Sequence, residues 1–206
     1  MEDMLWKFPH VGKRIFKKLS NKNLVKCKEV GRSWEYFITH EKFYNEKVKY
    51  ELIQKKRDEI GRTPLHEAAE AGQFPECKMI IDHVENKNPQ DIRRKNTPLH
   101  LAAIYGHVAI CQLIIDNIED KNPENEFGIT PFHLAAIHGN FNVCQFFIDK
   151  LKDKNPKDKA GWTPLHFAVR RGHFGTCKLI VDQVEDINPS TIGGTTPLSL
   201  AQFNYY

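Results

Sequence analysis

Hydrophobic positions in residues 61–206 recur in the same order about every 33 residues, and each recurrence predicts a pair of short helices. In the second recurrence, Leu99 and Ala103 belong to a first helix of about two and a half turns. The next residues are apolar at the i, i+3 and i+4 spacing of a second helix: Ile110, Leu113 and Ile114. Neither helix can bury its apolar face alone, so the units must stack on one another to be stable.

Each first helix opens with the phrase Thr-Pro-Leu-His, in which one copy has Phe in place of Leu. Successive copies are 34, 33, 33 and 33 residues apart, and the last has Ser199 in place of His; they begin at Thr63, Thr97, Thr130, Thr163 and Thr196. Thr favours the position that caps a helix N-terminus, and Pro fits the first turn, where its missing N–H costs no hydrogen bond. The phrase therefore predicts where each first helix begins.

This phrase at this period resembles the ankyrin repeat. The resemblance implies an all-α solenoid with four full repeats (61–94, 95–127, 128–160 and 161–193) and a partial fifth (194–206). Ankyrin stacks present an extended concave surface, and that surface normally binds another protein. After Ala201 the sequence shows no second helix for the fifth repeat. Two interpretations stay open: an aromatic tail that covers the last repeat, or a piece of a longer array.

Four cysteines share one register position, 14 residues after each Thr: Cys77, Cys111, Cys144 and Cys177. Packed helices lie roughly 8–10 Å apart. The Cα atoms of a disulfide lie within about 4.4–6.8 Å, and zinc ligands must converge more closely. We therefore expect buried, reduced thiols, with no metal and no cofactor in this chain.

One histidine per repeat closes the repeated phrase: His66, His100, His133 and His166. A fixed helical position in every repeat favours a structural hydrogen bond over acid–base chemistry. In ankyrin repeats this histidine bonds across the repeat junction, which the resemblance implies here. The sequence contains no G-x-S-x-G, phosphate-binding glycine loop, H-E-x-x-H or paired-carboxylate motif, so we predict that the protein is not an enzyme.

Charge divides the chain, since residues 1–58 hold fifteen Lys and Arg against eight Asp and Glu, and the remainder holds fifteen against eighteen. A basic segment can bind nucleic acid or an acidic protein, or form a solvated surface. This one has no nucleic-acid motif and no aromatic–basic alternation, so nucleic acid is not the expected partner. No apolar run approaches the roughly 18 residues of a membrane span, and no signal-peptide pattern opens the chain. We expect no membrane partner and a cytoplasmic or nuclear location.

Residues 4–45 carry a spaced pattern of mostly apolar residues, and this pattern predicts three short helices. Its members are Phe8, Pro9, Ile15, Phe16, Leu19, Leu24, Val30 and Trp34. The ordered pattern resembles an F-box, although Phe8 replaces the usual Leu and the segment before Ile15 is one residue short. The resemblance implies a small helical bundle in which these eight residues bind the Skp-type adaptor of a cullin–RING ubiquitin ligase. The same helices could instead cap the first repeat. Residues 46–60 are predicted to be a stiff helical connector.

Three functions are compatible with the sequence, and they rest on resemblance rather than on site chemistry. The first is a substrate-recognition adaptor of a Skp–cullin–F-box ubiquitin ligase, in which the ankyrin repeats bind a substrate protein. The second is a free-standing ankyrin scaffold or inhibitor, whose N-terminal helices only cap the solenoid. The third is a factor that associates with nucleic acid through its basic N-terminal segment. The ordered F-box residues favour the first.

Ankyrin proteins bind partners through the tips of the loops that join successive repeats, which are called fingers. They also use the residue before each Thr and the end of each first helix. Carried onto this chain, the resemblance implies these partner-binding residues: Arg93, Arg94, Asn96, Ile104, Tyr105, Phe127, Ile129, Ile137, His138, Lys159, Trp162, Arg170 and Arg171. We expect these residues to form an aromatic centre flanked by arginines. The alternative is that Phe127 and Trp162 only pack the fingers against one another. Replacing Tyr105 and Trp162 with Ala should then weaken partner binding and leave the melting temperature nearly unchanged.

One finger differs from the others in length. The loop from Gln90 to Asn96 is one residue longer than its counterparts and has Lys95 where they have Gly. We expect this finger to differ in shape.

Overall fold

The computed structural model describes residues 57–203. This range contains nine α-helices and no strand: α1 Pro64–Glu70, α2 Phe74–Ile81, α3 Pro98–Ile104, α4 Val108–Asp116, α5 Pro131–Ile137, α6 Phe141–Lys150, α7 Pro164–Arg170, α8 Phe174–Val181 and α9 Pro197–Phe203. None of the nine has the length and hydropathy that a bilayer crossing requires. The predicted all-α class is therefore confirmed for this range. The F-box-like segment 4–45 and residues 46–56 of the connector lie outside it, and residues 57–60, predicted to be helical, are not helical.

The helices pack as two rows. The first helices of successive repeats, α1, α3, α5, α7 and α9, contact one another in order, and the second helices α2, α4, α6 and α8 form the other row. Alanines in the first row, such as Ala102 and Ala135, are fully buried and allow close approach between helices. Between the rows lie large apolar side chains, including Phe132 and Phe147, whose ring centroids are 6.0 Å apart.

The recurring histidine links each repeat to the next. In the third repeat, Nδ1 of His133 accepts the backbone N–H of Thr130 at 3.1 Å and lies 2.9 Å from Thr130 Oγ1. Because Nδ1 is an acceptor, the ring proton is on Nε2, which donates to the carbonyl of Trp162 at 3.0 Å. The other three histidines make the same bond, to the carbonyls of Asn96, Ile129 and Thr195. The predicted structural role of the histidines is confirmed.

A second polar contact joins the repeats where the first helix turns into the second. Nε2 of His173 lies 3.0 Å from the carbonyl oxygen of Ile137, and the side-chain amide of Asn140 donates to the carbonyls of Ala103 and Ile104. The His173 ring lies directly over Gly139, whose φ of 67° is in the left-handed region. This glycine therefore meets two demands, a positive φ and room for a neighbouring side chain.

Gly139→Ala should destabilise the stack more than Gly172→Ala. Both glycines have a positive φ, 67° and 72°, so alanine is strained at either site by about 1–2 kcal/mol. A Cβ at position 139 would lie 2.6 Å from Nδ1 of His173, whereas a Cβ at position 172 would have no atom within 4 Å. The clash should displace His173 and cost about 1 kcal/mol more. Urea unfolding followed by circular dichroism measures the difference, and equal losses would contradict the contact.

Adjacent fingers are joined by single backbone hydrogen bonds. The N–H of Lys159 donates to the carbonyl of Phe127 at 3.1 Å, and that of Glu126 donates to Arg94 at 2.9 Å. The longer finger closes with a bond from Asp91 N–H to the carbonyl of Asn96, five residues on, whereas the others span four. Lys95 absorbs the extra residue with a φ of 58°. The expected difference in shape is therefore observed.

The four described cysteines are free thiols. Cys77, Cys111 and Cys144 are completely buried, and burial raises the pKa of each thiol to about 12. Cys177 is only half-buried, so the expectation of buried thiols was wrong for this one. It lies in α8, after which no further second helix follows within residues 57–203.

Candidate protein-binding surface

The predicted partner-binding residues lie on the side of the stack formed by the fingers and the C-terminal ends of the first helices, here called the finger surface. Eight of them are exposed: Arg93, Arg94, Tyr105, Phe127, His138, Lys159, Arg170 and Arg171. Five are half-buried: Asn96, Ile104, Ile129, Ile137 and Trp162. The bonds between fingers and the packed first helices hold these positions in series. The adaptor-binding residues predicted between Phe8 and Trp34 lie outside the described part of the chain.

Trp162 is the centre of an aromatic cluster in the fourth repeat. Its ring centroid is 5.1 Å from that of Phe167 and 5.5 Å from that of His166. The guanidinium carbon of Arg170 lies 5.3 Å from the Trp162 ring centroid, in a cation–π contact. Trp162 therefore packs within its own repeat as well as facing solvent. Because Trp162→Ala would remove these contacts, the structure leads us to expect a lower melting temperature for the Tyr105 and Trp162 double variant than the sequence alone did.

The first two repeats form a closed polar network on the same surface. Arg62 forms an ion pair with Glu70, and the Tyr105 hydroxyl donates to Glu70 Oε1 at 2.7 Å. The hydrogen bond from Arg62 is the main reason that the pKa of Glu70 is lowered. The Tyr105 ring also stacks on His107, with centroids 6.4 Å apart and planes 16° from parallel. One side of Tyr105 is thus fixed, while 52% of the residue stays exposed.

Charge changes along the stack at one register position. The residue seven after each Thr is Glu70, Ile104, Ile137 and then Arg170. Partial burial is the main cause that lowers the pKa of His138, and the positive charge of Arg171 lowers it further. Among the described carboxylates, none forms an ion pair with Arg170 or Arg171. At this register position the charge is thus paired in the first repeat and unpaired and positive in the fourth.

Two predicted partner-binding residues also have structural contacts. The side-chain oxygen of Asn96 accepts a hydrogen bond from Asn125 at 2.9 Å, and its carbonyl accepts one from His66. The ammonium of Lys159 donates to the carbonyl of Glu126 on the neighbouring finger at 2.7 Å. Phe127 has an apolar side chain and is 50% exposed. It is therefore an aromatic side chain available to a partner at the finger tips.

Phe167 has a part in this surface and was not predicted, whereas the positions of Arg62 and Glu70 were recognised as binding positions but the pairing of these two residues was not. Arg62 and Glu70 occupy the same register positions as the predicted Trp162 and Arg170, and their opposite charges could have suggested a pair. Phe167 takes the position that Leu101 and Leu134 occupy in earlier repeats. An aromatic residue five positions after Trp162 was the available signal for the cluster.

Exposed phenylalanines also begin three second helices, at Phe74, Phe141 and Phe174. They occur 11 residues after Thr in their repeats, a position that the sequence did not single out. The Phe141 ring lies beside Gly175 of the next repeat, 3.9 Å from where a Cβ would stand. Of these phenylalanines, Phe141 thus contacts the second helix of the next repeat.

Comparison with known families agrees with the described geometry. A family profile described as "Ankyrin repeats (3 copies)" matches residues 37–125, 114–192 and 151–205, well over half of the chain. No F-box family profile matches, so that resemblance stays a prediction. No curated protein matches the chain. On the strength of the family match and the repeated helix pairs, the chain belongs to the ankyrin-repeat family.

Proposed function

We propose that this protein is the substrate-recognition adaptor of a Skp–cullin–F-box ubiquitin ligase and binds its substrate protein through the finger surface. Ankyrin repeats indicate a protein-interaction role. The observation that carries the proposal is the grouping of exposed Tyr105, Phe127 and Arg170 on one side of a hydrogen-bonded stack. Tyr, Trp and Arg are the side chains in which binding energy concentrates at protein interfaces.

The finger surface is suited to a protein partner because its anchors are already held in place. Tyr105 is fixed by Glu70 and His107, and Arg170 is fixed over Trp162. A side chain that is ordered before binding loses less conformational entropy in the complex. The anchors belong to the second to fourth repeats, so a partner that contacts all of them must be extended, as a protein segment is.

The adaptor half of the proposal is supported by the order of F-box-like residues in the sequence. Pro9, Ile15, Phe16, Val30 and Trp34 occur in the order of that motif. In such ligases the box binds the Skp-type adaptor, and other subunits transfer ubiquitin. The alternative, an ankyrin scaffold or inhibitor without a ligase, is favoured by one observation. The first profile match begins at residue 37, inside the F-box-like segment, so part of that segment also fits the ankyrin family.

Two variants should separate the two halves of the proposed function. Replacing Pro9, Ile15 and Phe16 with Ala should abolish binding to the purified Skp-type adaptor and leave substrate capture unchanged. Replacing Tyr105 and Phe127 with Ala should do the reverse, and should weaken substrate capture at least tenfold, since each buried anchor is worth about 1–2 kcal/mol. Affinity purification with quantitative mass spectrometry reports both outcomes from the same sample.

Each variant is the control for the other, because a general folding defect would remove both activities. Failure of the unmodified protein to bind the adaptor at micromolar concentration would overturn the ligase assignment. If prey proteins still depended on Tyr105 and Phe127, the scaffold function would then be the correct one. Prey that binds both variants equally would place the binding surface elsewhere.

A further inference from the structure

The fourth repeat presents a pair of arginines whose charges are not neutralised by the described part of the chain. Arg170 and Arg171 are both exposed, and neither forms an ion pair with a described carboxylate. In the first repeat the corresponding position is Glu70, which is already paired with Arg62. The charge at this register position is thus paired within the chain in the first repeat and available to a partner in the fourth.

Arg170 is held by a contact that leaves its hydrogen-bond donors for an anion. Its guanidinium carbon lies 5.3 Å from the Trp162 ring centroid, and this cation–π contact uses none of its N–H donors. A planar guanidinium binds a carboxylate through two parallel hydrogen bonds. Stacking on an aromatic face restricts the side chain before any ligand arrives, so less entropy is lost on binding.

Two acidic residues of the fingers, Asp158 and Glu126, form no ion pair with these arginines. Asp158 Oδ1 accepts the backbone N–H groups of Ala160 and Trp162, at 2.9 Å and 2.8 Å, and so shapes its own turn. Glu126 lies at the tip of the preceding finger, where its backbone carbonyl accepts a hydrogen bond from the Lys159 ammonium. Arg93 and Arg94 add exposed positive charge at another finger tip.

An apolar strip lies next to this charge. Phe127 is half-exposed at its finger tip, and the Lys159 N–H to Phe127 carbonyl bond joins that finger to the next. Ile129 and Trp162 precede the Thr of consecutive repeats, and both side chains are half-buried. A partner side chain that covers the strip would remove apolar area from water at about 25 cal/mol per Å².

From this arrangement we infer that the third and fourth repeats bind an acidic peptide segment of a partner protein, with carboxylates on Arg170 and Arg171 and a large apolar side chain on Phe127 and Trp162. The inference rests on the proposed protein-binding role of the finger surface and specifies the chemistry of the partner. Complementary charge is expected to set the association rate and its dependence on salt.

Selection from a phage-displayed library of random 12-residue peptides on the full-length chain tests the inference. We expect selected peptides to carry two or more Asp or Glu residues beside a large apolar residue. The affinity of a selected, fluorescently labelled peptide should fall at least tenfold for the variant R170E/R171E. It should fall by a smaller factor for R170K/R171K, which keeps the charge and loses the bidentate guanidinium.

The matched control is K152E/K178E, which changes net charge by the same amount at two exposed lysines outside the finger surface, one in α8 and one after α6. It should alter affinity less than twofold. Selected peptides without carboxylates, or equal losses for both charge-reversal variants, would overturn the inference. So would the selection of no peptide at all. If the acidic-peptide inference fails but substrate capture still depends on Tyr105 and Phe127, the proposed function stands.

Discussion

Acidification from about pH 7 to about pH 4 is expected to unfold most of the repeat stack. Burial lowers the pKa of both His100 and His133 from 6.5 to about 4 in the folded protein. In the unfolded chain these rings regain a pKa near 6.5, so between the two values the unfolded state binds more protons and gains stability as the pH falls. Each histidine should cost about 3 kcal/mol by pH 4.

The free energy of unfolding of a typical domain is roughly 5–15 kcal/mol, so the loss from two such histidines at pH 4 is a large part of it. The geometry explains why the rings resist protonation, since Nδ1 would have to give up the N–H of Thr97 or Thr130 that it accepts. Burial lowers the pKa of His66 and His166 as well, which adds to the same trend.

Urea midpoints measured between about pH 7.5 and about pH 4.5 report this loss as a progressive decrease. The urea midpoint of His133→Gln should depend less steeply on pH than that of the unmodified chain, because one titrating ring is gone. This holds whatever the stability of the variant at neutral pH. A midpoint that stays constant from pH 7 to pH 5, or equal slopes for the two proteins, would contradict the assignment.

His133→Ala is expected to be among the most destabilising single substitutions in the stack. The side chain is completely buried, bonds to Thr130 and to the Trp162 carbonyl, and meets the Phe167 ring edge-on at 5.8 Å. Alanine would leave a buried N–H and a carbonyl without partners and would open a cavity. The two effects together should cost about 4 kcal/mol. Chemical denaturation at pH 7.5, where histidine is neutral, measures the loss.

The chain itself supplies the control for this substitution. Ser199 occupies the histidine position of the last repeat, and its hydroxyl accepts the backbone N–H of Thr196 at 3.0 Å. His133→Ser should therefore keep the bond to Thr130 N–H, lose the one to Trp162, and be about 1 kcal/mol less destabilising than alanine. Equal losses for serine and alanine would mean that the cap bond to Thr130 contributes nothing measurable.

The features that the sequence predicted well are those that depend on neighbouring residues and recur. The phrase at Thr130 and its copies placed the helix starts, because capping is decided within one turn of helix. The histidine bonds followed from family resemblance and register. The unusual finger at Lys95 was visible as one extra residue and a missing glycine.

The features that the sequence did not predict depend on long side chains and on the neighbours that a stack supplies. The contact of Arg170 with Trp162, and that of Tyr105 with Glu70, require particular rotamers across 8 and 35 residues. Cys177 and Cys144 occupy the same position in their repeats, so both were predicted to be buried. Burial, however, depends on which helices pack on either side. Composition carries no signal for either effect.

Five of the residues whose side chains form the finger surface also accept, on their main-chain carbonyls, side-chain hydrogen bonds that join the repeats. Asn96, Ile129 and Trp162 accept the histidine bonds, and Ile104 and Ile137 accept those from Asn140 and His173. Every amino acid has that carbonyl, so the identity of these residues can change while the bonds remain. New partner specificity can therefore evolve, or be engineered, at these positions without rebuilding the scaffold, and least freely at Trp162, where the side chain also packs.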